Sequence, residues 1–282
     1  MTSRRARTDT TSLLWHPHQR LWNWALVDKI QALPLPSRAR ELVIQAVIAV
    51  DSGLLAIGVW WRTRRGPEAS GASRPRVLYV DCGVHKVGEQ IRKVDEWFAD
   101  SCDLTILAFE ANGASYHAAL DALHDVDNLD LRHEALVGPS HEGETVELHL
   151  DGDSGKGDSL FAARGEVVEE VPARRLSEIL RVDYPWYSSA ALLIRMNIEG
   201  AEMFVIDDLC DAGMVDDVDG FYGMWDDLSK IDPELDGAFL AMLRGSGITT
   251  VTFNDRDMPH RLRMDAVRRS MQRAIARASK RQ

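Results

Sequence analysis

The stretch from Val77 to Asn112 restricts the fold of this chain more than any other. An apolar run, Val77 to Val80, ends at Asp81 and Gly83; after a turn to Gly88 the apolar positions move to helical spacing through Ile91, Val94, Trp97 and Phe98. A second apolar run, Leu104 to Phe109, ends on Glu110. Strand, glycine turn, helix and strand make a βαβ unit, which commits the chain to a parallel sheet covered by helices.

Such units bind ligands across their strand ends. Gly83 lets the backbone approach a ligand with no Cβ in the way, and the following helix N-terminus aims N–H groups and partial positive charge at it. Glu110, closing the second strand, is placed to accept hydrogen bonds from both hydroxyls of a ribose. Asp81, His85 and Gly88 belong to the same turn, and Ala111 and Asn112 follow the ribose acid, so all are assigned to the cofactor site. Neither the GxGxxG of dinucleotide folds nor the GK[ST] of a P-loop is present, which argues against a nicotinamide-dependent oxidoreductase.

Three ordered segments, VDCGVHKVGEQ, LAFEANGASYHAAL and LLIRMNIEGAEMFVIDDL, resemble the glycine motif, the acidic ribose motif and the motif "lysine, any, aspartate, valine, glutamate, glycine, any, glutamate" of the FkbM-type methyltransferases. The likeness covers roughly residues 76 to 255. It implies an α/β, Rossmann-like class I methyltransferase fold: a mostly parallel seven-stranded sheet with helices on both faces, ending in an antiparallel strand pair. It also implies S-adenosyl-L-methionine as cofactor, methylation of a hydroxyl on a sugar, oligosaccharide or polysaccharide precursor, and an adenine lying near Glu134 and Ala135. A polyketide or other natural-product hydroxyl is the alternative acceptor. The departures are specific. The glycine turn is one residue longer, with His85 and Lys86 between Val84 and Val87; Arg195 stands for the lysine and Asn197 for the aspartate, while Glu199, Gly200 and Glu202 keep the pattern. The altered turn and Asn197 also motivate a non-catalytic binding module that keeps the fold.

With 282 residues the chain is long enough for one large α/β domain with appendages. Its three cysteines have no CxxC or Cys/His spacing, so neither a disulfide framework nor a zinc site is expected, and a cytoplasmic setting fits. The formal net charge is -11, yet the last 25 residues carry eight Lys or Arg against one Asp, leaving the remainder near -18. That balance disfavours a nucleic-acid surface. In the basic tail Met264, Val267, Met271, Ala274 and Ala278 recur at helical spacing, so a helix packed on one side is expected.

Four regions follow in order: an N-terminal helical extension, 1–66; a Gly/Pro/Ser-rich linker, 67–76; the cofactor-binding catalytic domain, 77–257; and the basic C-terminal helix, 258–282. The extension holds Trp15, Trp22 and Trp24, residues that stack on sugar rings but also fill cores. Its apolar run from Leu42 to Trp61 contains Asp51, whose burial in lipid costs roughly 2.5–3.5 kcal/mol, so membrane insertion is not expected. Residues 151 to 159, DGDSGKGDS, lack the last glutamate of an EF-hand and read as a turn able to close over an acceptor.

Methyl transfer asks the protein to align an acceptor hydroxyl and remove its proton. The candidate bases are His149, His141, Glu199 and Asp226. Asn197, Glu199 and Asp226 also offer hard oxygen ligands for a divalent metal such as Mg2+, which lowers a hydroxyl's pKa. The partners to consider are a saccharide or small-molecule acceptor and a second copy of the chain in a homodimer.

Overall fold

The apolar runs of the βαβ unit become two adjacent strands at the centre of a sheet. In the computed structural model, which describes residues 74–151, 157–162, 167–223, 225, 228–248, 251–252 and 260–281, β1 (Arg76–Cys82) pairs in parallel with β2 (Asp103–Phe109). On its other side β1 pairs in parallel with β7 (Ala191–Met196). With β3 (Leu129–Arg132), β8 (Val218–Gly223) and β9 (Val251–Thr252), the six-stranded sheet runs β3-β2-β1-β7-β8-β9, every pairing parallel. This is a doubly wound, Rossmann-like order, with its switch point between β1 and β7.

Alternation along β1 sends Val77 and Tyr79 to one face and Leu78, Val80 and Cys82 to the other. The first face is covered by α1 (Glu89–Phe98), by Ala119 of α2 (Gly113–Ala122), and by Met271, Ala274, Ile275 and Ala278 of α7 (His260–Ala278). The second takes α3 (Leu176–Val182), α4 (Glu202–Asp211) and Phe239 of α6 (Pro233–Gly245). Helices therefore cover both faces, and the basic terminal helix is part of the core rather than an appendage.

Three expectations are corrected. Among the described residues the sheet has six strands instead of seven, and β9 lies parallel to β8 where an antiparallel pair was expected. The connection explains the direction: α5 (Leu228–Ile231) and α6 carry the chain back to the end at which β8 began, so the next strand runs the same way. The sequence from Leu129 to Leu136 predicts a single third strand, but it breaks after Arg132. Its second half, β4 (Ala135–Leu136), joins a separate sheet, ordered β4-β6-β5, with β6 (Val167–Arg174) and β5 (Thr145–Leu150).

The described residues all belong to the unit Ser73–Gln282. The extension, 1–66, and the tryptophans within it lie outside the described residues, as does Asp226. Among the described residues no helix is long and apolar enough to cross a membrane.

Candidate functional site

At the C-terminal ends of β1, β2 and β7, beside the switch point, lies a cavity of about 380 Å³, within the range of small-ligand sites. The turn after β1 forms one wall. Gly83 has φ 97°, a region that favours glycine, and a Cβ there would lie 2.5 Å from the Asn197 carbonyl oxygen. Its N–H and that of Val84 donate to the Phe109 carbonyl, tying the turn to the end of β2. His85 and Glu199, the non-glycine residues with positive φ among those described, both line the cavity. Gly88 does not: in left-handed conformation it caps α1, and a Cβ there would strike Leu123.

Glu110 follows the last residue of β2 and projects into the cavity. One carboxylate oxygen accepts from the His85 N–H at 2.7 Å, the other from the Asn112 N–H at 3.0 Å. Burial pushes its pKa up, and these two donors oppose the rise. A carboxylate has about four acceptor positions, so room remains for ligand hydroxyls. Asn112 also caps α2, its side-chain oxygen accepting from the Ser115 N–H at 2.7 Å.

Glu134 and Ala135 line the cavity where the chain crosses from β3 to β4. The Glu134 Oε2 atom is buried without a hydrogen-bond partner, and its Oε1 lies 3.9 Å from Arg174. An unsatisfied buried acceptor is costly, and a ligand N–H would satisfy it.

Asp81, like Gly88, stands outside the cavity lining. It is fully buried. Arg195 Nη1 donates to its Oδ1 at 2.5 Å and to the Gly83 carbonyl at 3.1 Å, and the Tyr79 hydroxyl donates to its Oδ2 at 3.0 Å. Burial pushes the Asp81 pKa up and Arg195 opposes it; since a guanidinium stays charged, the two form an ion pair whose carboxylate is fully buried. Asp81 therefore holds the glycine turn from beneath. Arg195, which sequence reasoning treated only as a replaced lysine, is its partner in register on β7.

After β7, Asn197, Ile198, Glu199 and Ala201 line the cavity. Glu202 is buried and accepts from the N–H groups of Ile198 and Gly200 at 2.7 and 2.9 Å, so it shapes this turn. The remaining wall is a strap, 157–162, just past β5. Asp158 accepts from Asn112 Nδ2 at 2.8 Å and from the Asp151 N–H at 2.7 Å. Ser159 pairs both ways with the His149 backbone, and its hydroxyl donates to the Glu199 carbonyl at 2.7 Å. The glycine-rich composition pointed to a loop beside the site, but no local pattern marked Asp158, Ser159 and Leu160 as lining residues.

Of the nominated bases, Glu199 lies in the wall. His149, on β5, and His141, whose Nε2 is 3.0 Å from the Thr145 carbonyl, are not among the lining residues. Asp226, nominated as base and metal ligand, falls outside the described residues. Among the described residues no group of three or more His, Cys, Asp or Glu is placed to hold a metal ion.

No family model matches the chain, and no curated protein does. Among solved structures the chain matches one described as "Identification of the pyruvate reductase of Chlamydomonas reinhardtii", at 9% identity and a TM-score of 0.25, over 83% of this chain and 64% of that one. It thus spans less than two thirds of that chain's length.

Proposed function

We propose that this chain is an S-adenosylmethionine-dependent O-methyltransferase of the FkbM type, acting on a hydroxyl of a sugar, oligosaccharide or polysaccharide precursor. The observation that carries the reading is the convergence of Gly83, Glu110, Glu134 with Ala135, and Asn197 with Glu199 on one cavity at the switch point of a parallel sheet. These are the residues that the motif resemblance assigns to cofactor and methyl.

The residues fit an adenosine ligand. Glu110 keeps acceptor capacity for ribose hydroxyls, and the orphaned Glu134 Oε2 suits the donor of an adenine amino group. Basic side chains in the lining are His85 and Arg195, and Arg195 is engaged with Asp81, so the wall suits a ligand without phosphates. When bound, the cofactor supplies an electrophilic methyl on a sulfonium. This chain's part is to orient the acceptor oxygen and take its proton, a role for which Glu199 stands in the cavity wall.

Calorimetry with S-adenosylhomocysteine tests the cofactor, comparing the wild type with Glu110→Ala. Binding that is lost or severely weakened in the variant supports the reading; no binding to the wild type overturns it. Transfer of labelled methyl to a panel of saccharides, with and without Mg2+ and with Glu199→Gln, then tests the acceptor, the metal and the base.

A further inference from the structure

The cavity wall distributes its charge unevenly. Glu110 and Asp158 both line it, and their hydrogen-bond partners are neutral: backbone N–H groups for the first, an Asn112 amide and a backbone N–H for the second. Asn112 binds both, Glu110 through its N–H and Asp158 through its side chain, which holds the two carboxylates beside each other. The charge of Asp158 accordingly adds to burial in raising the pKa of Glu110. Glu134, whose Oε1 lies 3.9 Å from Arg174, and Glu199 bring further carboxyls to the same wall. The guanidinium of Arg195 does not balance them, because it is matched by Asp81 beneath the turn.

Neighbouring carboxylates in a poorly solvated cavity repel, and a ligand with a positive centre relieves that repulsion. We propose that this cavity selects by charge, favouring the sulfonium form of its adenosine ligand over the neutral thioether product, with Asp158 on the strap setting the preference. The inference rests on the S-adenosylmethionine reading. Once the methyl has moved to the acceptor oxygen, the electron pair of the broken S–C bond stays on sulfur and cancels its charge, and the acceptor's proton passes to the base. The carboxylates that held the substrate then hold the product less tightly, so product inhibition is weak. Asp158 is kept in place by Ser159, whose hydroxyl and backbone pin the strap to the turn after β7 and to β5.

The test is equilibrium calorimetry of the full chain with S-adenosylmethionine, S-adenosylhomocysteine and sinefungin, which carries an amine cation near the sulfonium position. The two cationic ligands are expected to bind about ten-fold more tightly than S-adenosylhomocysteine at low salt. That ratio should shrink as salt screens the carboxylates. Asp158→Asn, checked for folding by thermal unfolding, should bring the ratio close to about two-fold by removing one charge. A wild-type protein that binds S-adenosylhomocysteine as tightly as S-adenosylmethionine, or more so, overturns the charge proposal alone. A ratio unchanged in a folded Asp158→Asn overturns the assignment to Asp158. If none of the three ligands binds, the methyltransferase reading fails, and this inference fails with it.

Discussion

Asp81 and Glu110 close the ends of neighbouring strands, yet one lies under the site and the other in it. Asp81 is still within β1, opposite Ala108 and Arg195 in register, and shares its face of the sheet with Tyr79 two residues earlier. Strand alternation therefore turns it into the sheet, where Arg195 and Tyr79 hold it. Glu110 comes one residue after Phe109 ends β2; its N–H still donates to the Arg132 carbonyl of β3, and its side chain lines the cavity at the strand end. The difference teaches that an acid inside a strand is turned into the sheet, while one placed just past the last paired residue is free to face the cavity.

The largest effect is expected from breaking the buried pair. Arg195→Met leaves Asp81 without its counter-charge, held only by the Tyr79 hydroxyl, with a loss of about 3–5 kcal/mol in urea unfolding. Adding Asp81→Asn should restore much of it, because the double variant no longer strands a charge. If Arg195→Met unfolds like the wild type, the pair does not hold the turn.

Gly83→Ala joins the two regions, since the new Cβ would meet the Asn197 carbonyl at a φ of 97°. A stability loss of roughly 1–3 kcal/mol is expected, together with loss of S-adenosylhomocysteine binding. Full binding in a folded Gly83→Ala would show that the close approach of the two turns has no part in the site.

Glu110→Ala should reverse the balance seen for Arg195: stability falls less, and binding falls about ten- to hundred-fold, the worth of hydrogen bonds to a charged acceptor. Equal losses of stability in the two variants would erase the contrast between support and contact.

The smallest effect is in pH. Burial raises the Glu110 pKa above the ordinary carboxylate range, so the folded chain holds this proton more tightly than the unfolded chain. Its contribution to stability is present below the unfolded carboxylate pKa and is lost as pH rises through the raised value. Ligand affinity runs the other way, because ribose hydroxyls donate best to the ionised form. Affinity should therefore rise with pH across that window, with proton release on binding. Calorimetry in two buffers of different ionisation enthalpy reads that release, which Glu110→Gln should abolish.

Most of the sheet and its helices were legible in local pattern. The spacing of apolar residues predicts β1, α1 and β2, the alternation in Thr145 to Leu150 predicts β5, and the run over Glu202 to Asp211 predicts α4 with the bounds it has. The stripe Met271, Ala274 and Ala278 predicts a packed terminal helix because burial on one face repeats every 3.6 residues. Glu110 and Asn197 were legible as residues of the cavity edge because they follow strand ends, where a parallel sheet presents its ligand edge, whereas Glu134 and Ala135 were singled out only by the motif resemblance.

Tertiary structure decided what depends on residues far apart in the chain. The partnership of Asp81 with Arg195, 114 positions away, required β7 to lie beside β1, and the contribution of Asp158 required the strap to reach Asn112, 46 positions away. The break of the third strand into two sheets and the parallel setting of β9 depended on strand pairing. Local sequence sets which way a side chain faces along its own strand or helix; which surface it then meets, and whether that surface is water, ligand or a buried counter-charge, is set by the packing of the whole sheet.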